Sequence, residues 1–336
     1  MMKSKSTTKR ILQTVATIGG GAAALALLGI GTVVCYPTST MTLSPRPRPT
    51  KSYEDAVQRF TQLCEALDGP DINPVCRSQL LTHGHQTDRV VMLLHGMTNC
   101  PAQFLKLGTL LYEQGCNVLL PRMPHHGLLN RDTDDLKHLK AEELRSFADT
   151  AVDIAQGLGK RVMVIGLSAG GVIGTWITQF RTDVERTVII SPALGLLSYP
   201  DVVQPLLMNT ARRLPNRFAP VGDGDFSVGP QYTYMRHTTH ALSEMMRLGE
   251  AAARASRKQP PTVRSIILVT NANDQDVKRS YALAFLDRWQ RHPGVCTNHF
   301  EFPLADGLIH DLIDPCQPEQ RTDIVYPILQ DFILQD

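Results

Sequence analysis

In the stretch Val162-Met-Val-Ile-Gly166-Leu-Ser168-Ala-Gly170-Gly171, a serine stands two residues from a glycine on either side, directly after an apolar run. G-x-S-x-G spacing serves one of two ends. Small residues let a strand and the next helix meet at a tight turn, or that turn holds the hydroxyl out as a nucleophile. The pattern arises by chance often enough that its partners must decide. A serine hydroxyl is a poor nucleophile at neutral pH; it needs a base, and the base needs an acid to orient it.

Of the eleven histidines, position selects His310, in Ala305-Asp-Gly-Leu-Ile-His310-Asp311 between the last predicted strand and the last predicted helix. For the acid, Asn271-Ala-Asn-Asp274-Gln-Asp276-Val277 follows a predicted strand, Ser265–Thr270. Asp274 is favoured as the first residue of an Asp-x-x-Val loop, and Asp276 is the alternative. Either one could instead cap the next helix as a turn former. The chemistry this set would perform is nucleophilic attack by Ser168, with proton transfer through His310 and orientation of the imidazole by Asp274.

Bringing positions 168, 274 and 310 together requires a particular scaffold. Val90–Leu94, Asn117–Leu120, Val162–Ile165 and Thr187–Ile190 are short continuous apolar runs, as expected of strands covered on both faces. Helical spacing separates them at Pro101–Gln114, Ala141–Leu158 and Gly171–Phe180, after an outlying helix at Tyr53–Leu67 and a strand at Ser78–Thr82 that can pair with its successor. The rhythm breaks between about 193 and 261, where one good helix, Thr239–Ser256, stands among Pro, Gly, Met and Tyr. It resumes with Ser265–Thr270, a helix at Ser280–Gln290, a strand near Cys296–Phe302 and a helix at Thr322–Leu334. The expected fold is α/β: a mostly parallel sheet with helices on both faces and a cap inserted over the carboxyl ends of the strands.

The order Ser168, Asp274, His310 on this scaffold resembles the α/β-hydrolase superfamily over roughly Ser78–Asp336. Leu94-His95-Gly96-Met97 is similar to the family's oxyanion-loop signature. Leu120-Pro-Arg-Met-Pro-His125-His126-Gly127 is similar to its Pro-x-x-x-Gly-His-Gly loop, with His125 in place of the first glycine. His310-Asp-Leu-Ile-Asp-Pro315 looks like the catalytic-histidine segment of the carboxylesterase and monoacylglycerol-lipase-like branch. The resemblance implies an oxyanion hole made by the N–H groups of Met97 and Ala169, and a structural His95. It also implies a small-molecule ester or lipid-like substrate, with no cofactor and no metal.

Several neighbours invite other chemistry. Cys100, at a predicted helix start, could be read as a nucleophile, but the serine constellation points elsewhere. Adjacent His125 and His126 hint at metal, but without an evident carboxylate partner they fit loop packing better. Tyr232, Tyr234, Met235, Met245 and Met246 could line an acyl pocket or simply pack helices.

The chain of 336 residues carries a net charge of +2, too small to mark a nucleic-acid surface, and nucleic acid is not an expected partner. Lys3, Lys5, Lys9 and Arg10 form a basic segment, 1–10, ahead of an uncharged stretch, 11–35. That stretch is long enough for a transmembrane helix, whose basic flank would stay cytoplasmic and leave the rest outside. A cleaved signal with secretion, or lipid attachment at Cys35, are the alternatives. Residues 36–52, with four prolines, read as a stiff linker to a hydrolase domain at 53–336. Among seven cysteines, Cys64 with Cys76 and Cys296 with Cys316 are near enough in sequence to pair, but spacing leaves the connectivity open, and free buried thiols are an equal alternative for each pair. The expected function is a membrane-anchored serine hydrolase cleaving carboxylic esters. A serine aminopeptidase or amidase of the same fold, or a silent tethered binding module, are the alternatives.

Overall fold

A computed structural model of the chain describes residues 39–197, 204–222 and 226–335. The basic and apolar segments at 1–35 lie outside these residues, as does Cys35. Among the described residues, no helix is long and apolar enough to cross a membrane.

Helix α1 (Tyr53–Leu67) precedes strands β1 (Gln79–Leu81) and β2 (Thr87–Leu94). Then α2 (Ala102–Glu113), β3 (Asn117–Leu120), α3 (Ala141–Leu158), β4 (Gly159–Leu167), α4 (Ala169–Phe180) and β5 (Arg186–Ile190) alternate. The insertion contains α5 (Gln204–Ala211), the hairpin strands β6 (Phe218–Pro220) and β7 (Arg236–Thr238), and α6 (Thr239–Ser256). The chain closes with β8 (Ser265–Asn271), α7 (Arg279–Trp289), β9 (Cys296–Phe302) and α8 (Thr322–Leu334). The main sheet runs β1-β3-β2-β4-β5-β8-β9, parallel except for β1. The first strand therefore pairs antiparallel with β3 and not with its immediate successor: β2 is already flanked by β3 and β4.

Alternation along the strands builds two cores. Val90, Met92 and Leu94 of β2 face α1, α3 and α4, whereas Val91 and Leu93 face α2 and α8, where Phe104, Leu107, Val325 and Leu329 are fully buried. Successive strand residues point to opposite faces, so an apolar run buries both. The cap helix α6 is no detached lid. It packs on α4, with Leu248 and Ala252 fully buried and Gly249 close against Leu194 and Val172.

Residues 39–52 correct the expectation of a free linker. Leu43 is fully buried, and its carbonyl accepts the Trp176 indole N–H at 2.9 Å. Proline carries no N–H, so the intervening arginines supply the segment's donors: Arg46 N–H reaches Asp149 Oδ2 and Arg48 N–H reaches Asp153 Oδ2, both at 2.8 Å. The other oxygens of these carboxylates hold the buried Arg181 guanidinium at 3.0 and 2.7 Å. The segment is thus a strap packed on α3, joined at its start by Arg247, which donates to the Ser39 carbonyl at 3.0 Å.

The cysteines also pair differently from the nearest-neighbour expectation. Cys76 is bonded to Cys100, while Cys64, Cys296 and Cys316 are free. Burial and the nearby Asp68 push the Cys64 thiol up to about 12.

Candidate active site

Ser168 occupies the single residue between β4 and α4, at φ +56° and ψ −110°. A side chain at positive φ is strained, a cost of order 1–3 kcal/mol that persists only where surrounding bonds fix it. Here the Ser168 N–H donates to Ile190 O at 3.0 Å, and its carbonyl accepts from Val172 and Ala193 N–H at 3.0 and 3.1 Å. The flanking glycines are required by close approach. A Cβ on Gly166 would lie 2.2 Å from Gly170 O, and one on Gly170 would lie 2.0 Å from Leu94 O. Packing explains the glycines, but it does not explain a partly exposed hydroxyl at the start of a helix.

The loops following β8 and β9, neighbouring parallel strands, carry Asp274 and His310 to the same edge of the sheet. His310 Nδ1 lies 2.8 Å from Asp274 Oδ2. The other oxygen, Oδ1, accepts the N–H groups of Asp276 and Val277 at 2.9 and 3.2 Å. Turn former and histidine partner, the two rival roles for Asp274, are therefore held at once by its two oxygens. Asp276 is exposed, and its backbone carbonyl accepts the Leu197 N–H. Burial pushes the His310 imidazole down, but the hydrogen bond and charge of Asp274 outweigh it and hold the group above the ordinary histidine range. Burial likewise pushes Asp274 up, and His310 more than offsets it, so the carboxyl is held below its usual range.

Two asparagines that sequence reasoning passed over fix the loops to each other. Asn271 Nδ2 donates to Leu308 O at 2.8 Å and Ile309 O at 3.1 Å, and Asn273 Nδ2 donates to Leu308 O at 3.0 Å. Their signal was the Asn-x-Asn spacing just before Asp274.

On the other side of Ser168, the turn after β2 brings Gly96 close: a Cβ there would lie 3.7 Å from the Ser168 Cβ. The Gly96 N–H donates to Gln103 Oε1 at 2.8 Å. His95 is fully buried with both ring nitrogens engaged, Nδ1 with Gly96 O at 2.9 Å and Nε2 accepting the Met123 N–H at 3.1 Å. Burial holds its pKa well below the ordinary range, so it is a neutral strut between loops. Met97 follows, half-buried, and Thr98 at φ +67° turns the chain. Ala169 is the first residue of α4.

Cys100, bonded to Cys76, is not a free thiol. His125 does have carboxylate partners, contrary to the sequence expectation: Nδ1 lies 2.9 Å from Asp135 and Nε2 3.4 Å from Glu143. His126 is buried, with Nδ1 bonded to the Pro124 carbonyl at 2.8 Å. Among the described residues, Asp274, Asp276 and His310 could offer a cation three ligand atoms within 4.8 Å of one another. Asp274 Oδ2 and His310 Nδ1 are already spent on each other.

A mostly apolar cavity of about 100 Å³ opens between α5 and α6, lined by Leu196, Gln204, Met208, Ala211, Thr239, Leu242, Ser243 and Met246. Of the five cap residues singled out from the sequence, only Met246 lines it. Met245 and Tyr234 are core, the Tyr232 hydroxyl is bonded to Asp314 at 2.8 Å, and the Met235 N–H donates to Arg131 O.

Solved structures share this architecture at low identity. One of the metagenome-derived lipolytic enzymes LipS and LipT superposes with a TM-score of 0.61 at 16% identity, over 79% of this chain and 100% of that one. The monoacylglycerol lipase of Paleococcus ferrophilus gives 0.57 at 16% identity, over 76% and 97%. A soluble variant of monoglyceride lipase from Saccharomyces cerevisiae gives 0.50 at 14%, over 76% and 90%. No curated protein is detectably similar to the chain in sequence. The model of the alpha/beta hydrolase family matches residues 91–309, from β2 to the residue before His310. The chain belongs to the alpha/beta hydrolase family.

Proposed function

We propose that this hydrolase cleaves carboxylic esters through Ser168, His310 and Asp274, on the outer side of a membrane that the apolar segment 11–35 spans. Ser168 Oγ attacks the ester carbonyl while His310 Nε2, the nitrogen not committed to Asp274, takes its proton. Asp274 keeps the imidazole in the required tautomer and stabilises the imidazolium. The N–H groups of Met97 and Ala169, one on each side of the serine turn, receive the oxyanion. His310 then protonates the leaving alcohol, and water, deprotonated by the same imidazole, releases the acyl group.

The observation that carries this proposal is the serine held at positive φ at the same sheet edge as a hydrogen-bonded imidazole–carboxylate pair. Proteins of the same fold that are described as lipolytic enzymes and a monoacylglycerol lipase support an ester substrate. The Cys76–Cys100 disulfide is in keeping with an oxidising compartment beyond the membrane. Turnover of p-nitrophenyl esters of graded chain length against matched aminoacyl anilides tests the activity. Faster cleavage of the anilides would overturn the ester assignment, and extraction of the full chain by alkaline carbonate would overturn the anchor.

A further inference from the structure

Asn99 ends the turn that carries Met97 and is almost fully buried. Its Oδ1 accepts the Cys100 N–H at 2.8 Å, the local bond expected of an asparagine just ahead of a helix. Its Nδ2 does something no cap requires. It donates at 3.2 Å to Asp311 Oδ2, 212 residues further along and next in sequence to His310. Asp311 is held in turn: Oδ2 accepts from Gln317 Nε2 at 2.9 Å, and Oδ1 accepts the Asp314 N–H at 3.2 Å. The turn is anchored on its other sides by the Cys76–Cys100 bond, by the Gly96–Gln103 hydrogen bond, and by the Thr98 carbonyl, which accepts the Tyr234 N–H at 2.8 Å.

We propose that Asn99 is a positioning residue whose amide clamps the Met97 turn to the His310 loop. It thereby fixes the oxyanion donor relative to the general base. Asn99 itself touches no reacting atom. The inference rests on the roles given above to Met97 and His310. Oxyanion donors must sit about 2.7–3.1 Å from the developing charge, and Thr98, strained at positive φ, gives the turn no preference of its own for that geometry.

Steady-state kinetics on p-nitrophenyl butyrate test the clamp through a double-mutant cycle of Asn99→Leu and Asp311→Ala. Each variant is expected to lower kcat by about 10- to 100-fold with KM within about threefold, and the double variant to be little slower than the slower single. Multiplying losses would overturn the pairing. Asn99→Ser separates cap from clamp, and serves where Asn99→Leu does not fold. It retains an acceptor for the Cys100 N–H but cannot reach Asp311, so it should lose kcat as well; wild-type kcat would overturn the clamp. Amide hydrogen exchange on the same proteins reads the clamp without turnover. Faster exchange should appear in both 95–100 and 308–314, and a change confined to the mutated segment would overturn it. Ser168→Ala run in parallel reports separately on the hydrolase activity itself.

Discussion

The imidazole of His310 and the carboxylate of Asp274 meet at 2.8 Å across two loops that leave the neighbouring strands β9 and β8. Asp276, two residues from Asp274, is exposed and unneeded for that contact. Asp274→Asn should therefore lower kcat by about 10³- to 10⁴-fold, since an amide no longer enforces the reactive tautomer. Asp276→Asn should stay within about tenfold of wild type. Kinetics on one ester substrate check the ranking, and its reversal would make Asp276 the acid.

The same pair sets the pH dependence. Attack requires neutral His310, and Asp274 makes the imidazolium harder to deprotonate, so the acid limb of kcat/KM should centre above about 6.5. In Asp274→Asn the limb should move to lower pH even as the plateau falls. The raised His310 value also contributes stability that is full below about pH 6.5 and lost as pH rises through the folded-state value. Profiles of both proteins between pH 4 and 9 read the shift; an unmoved limb would separate the two groups functionally.

Asp314, in the loop that follows His310, supplies a stability test. It is fully buried, bonded to the Tyr232 hydroxyl and the Cys316 N–H, and burial with the nearby Asp311 raises its pKa to about 6. The folded protein binds this proton more tightly than the unfolded chain. Its contribution is thus complete below about pH 4 and is lost as pH rises through about 6, on the order of 3 kcal/mol across the window. In Asp314→Asn that slope should vanish, leaving the variant relatively more stable at pH 7 than at pH 4. Denaturant unfolding at both pH values measures it, and an identical slope in the two proteins would refute it.

Much of this site was legible in the sequence because its chemistry depends on local pattern. The G-x-S-x-G turn and the Asp of the candidate site follow apolar runs that are visible without coordinates, and His310 was picked out by its place between the last strand and the last helix. Tertiary pairing was not legible. The strap at 39–52 looks solvated because Pro and Arg are polar or stiff, yet its N–H groups find Asp149 and Asp153 about a hundred residues away. Cysteine spacing suggested Cys64 with Cys76, whereas the fold sets Cys100 beside Cys76, their Cα atoms 5.2 Å apart. Asn99 reads as an ordinary turn residue until Asp311 is placed beside it.

The disulfide closes a loop of 24 residues and holds the segment before β1 to the turn beside Ser168. Replacing both Cys76 and Cys100 by Ser should cost about 3 kcal/mol of stability. A guanidinium unfolding curve with an unchanged midpoint would show that the bond does not contribute.

The most direct measurement is covalent labelling by a fluorophosphonate probe, which phosphonylates a serine only where a base activates it and an oxyanion site receives the charge. A single adduct on the peptide containing Ser168, absent in Ser168→Ala and slowed by about 10³-fold or more in His310→Ala, is the predicted result. Equal labelling of wild type and Ser168→Ala, or none of either while the protein is folded, would contradict the assignment of Ser168 as the nucleophile.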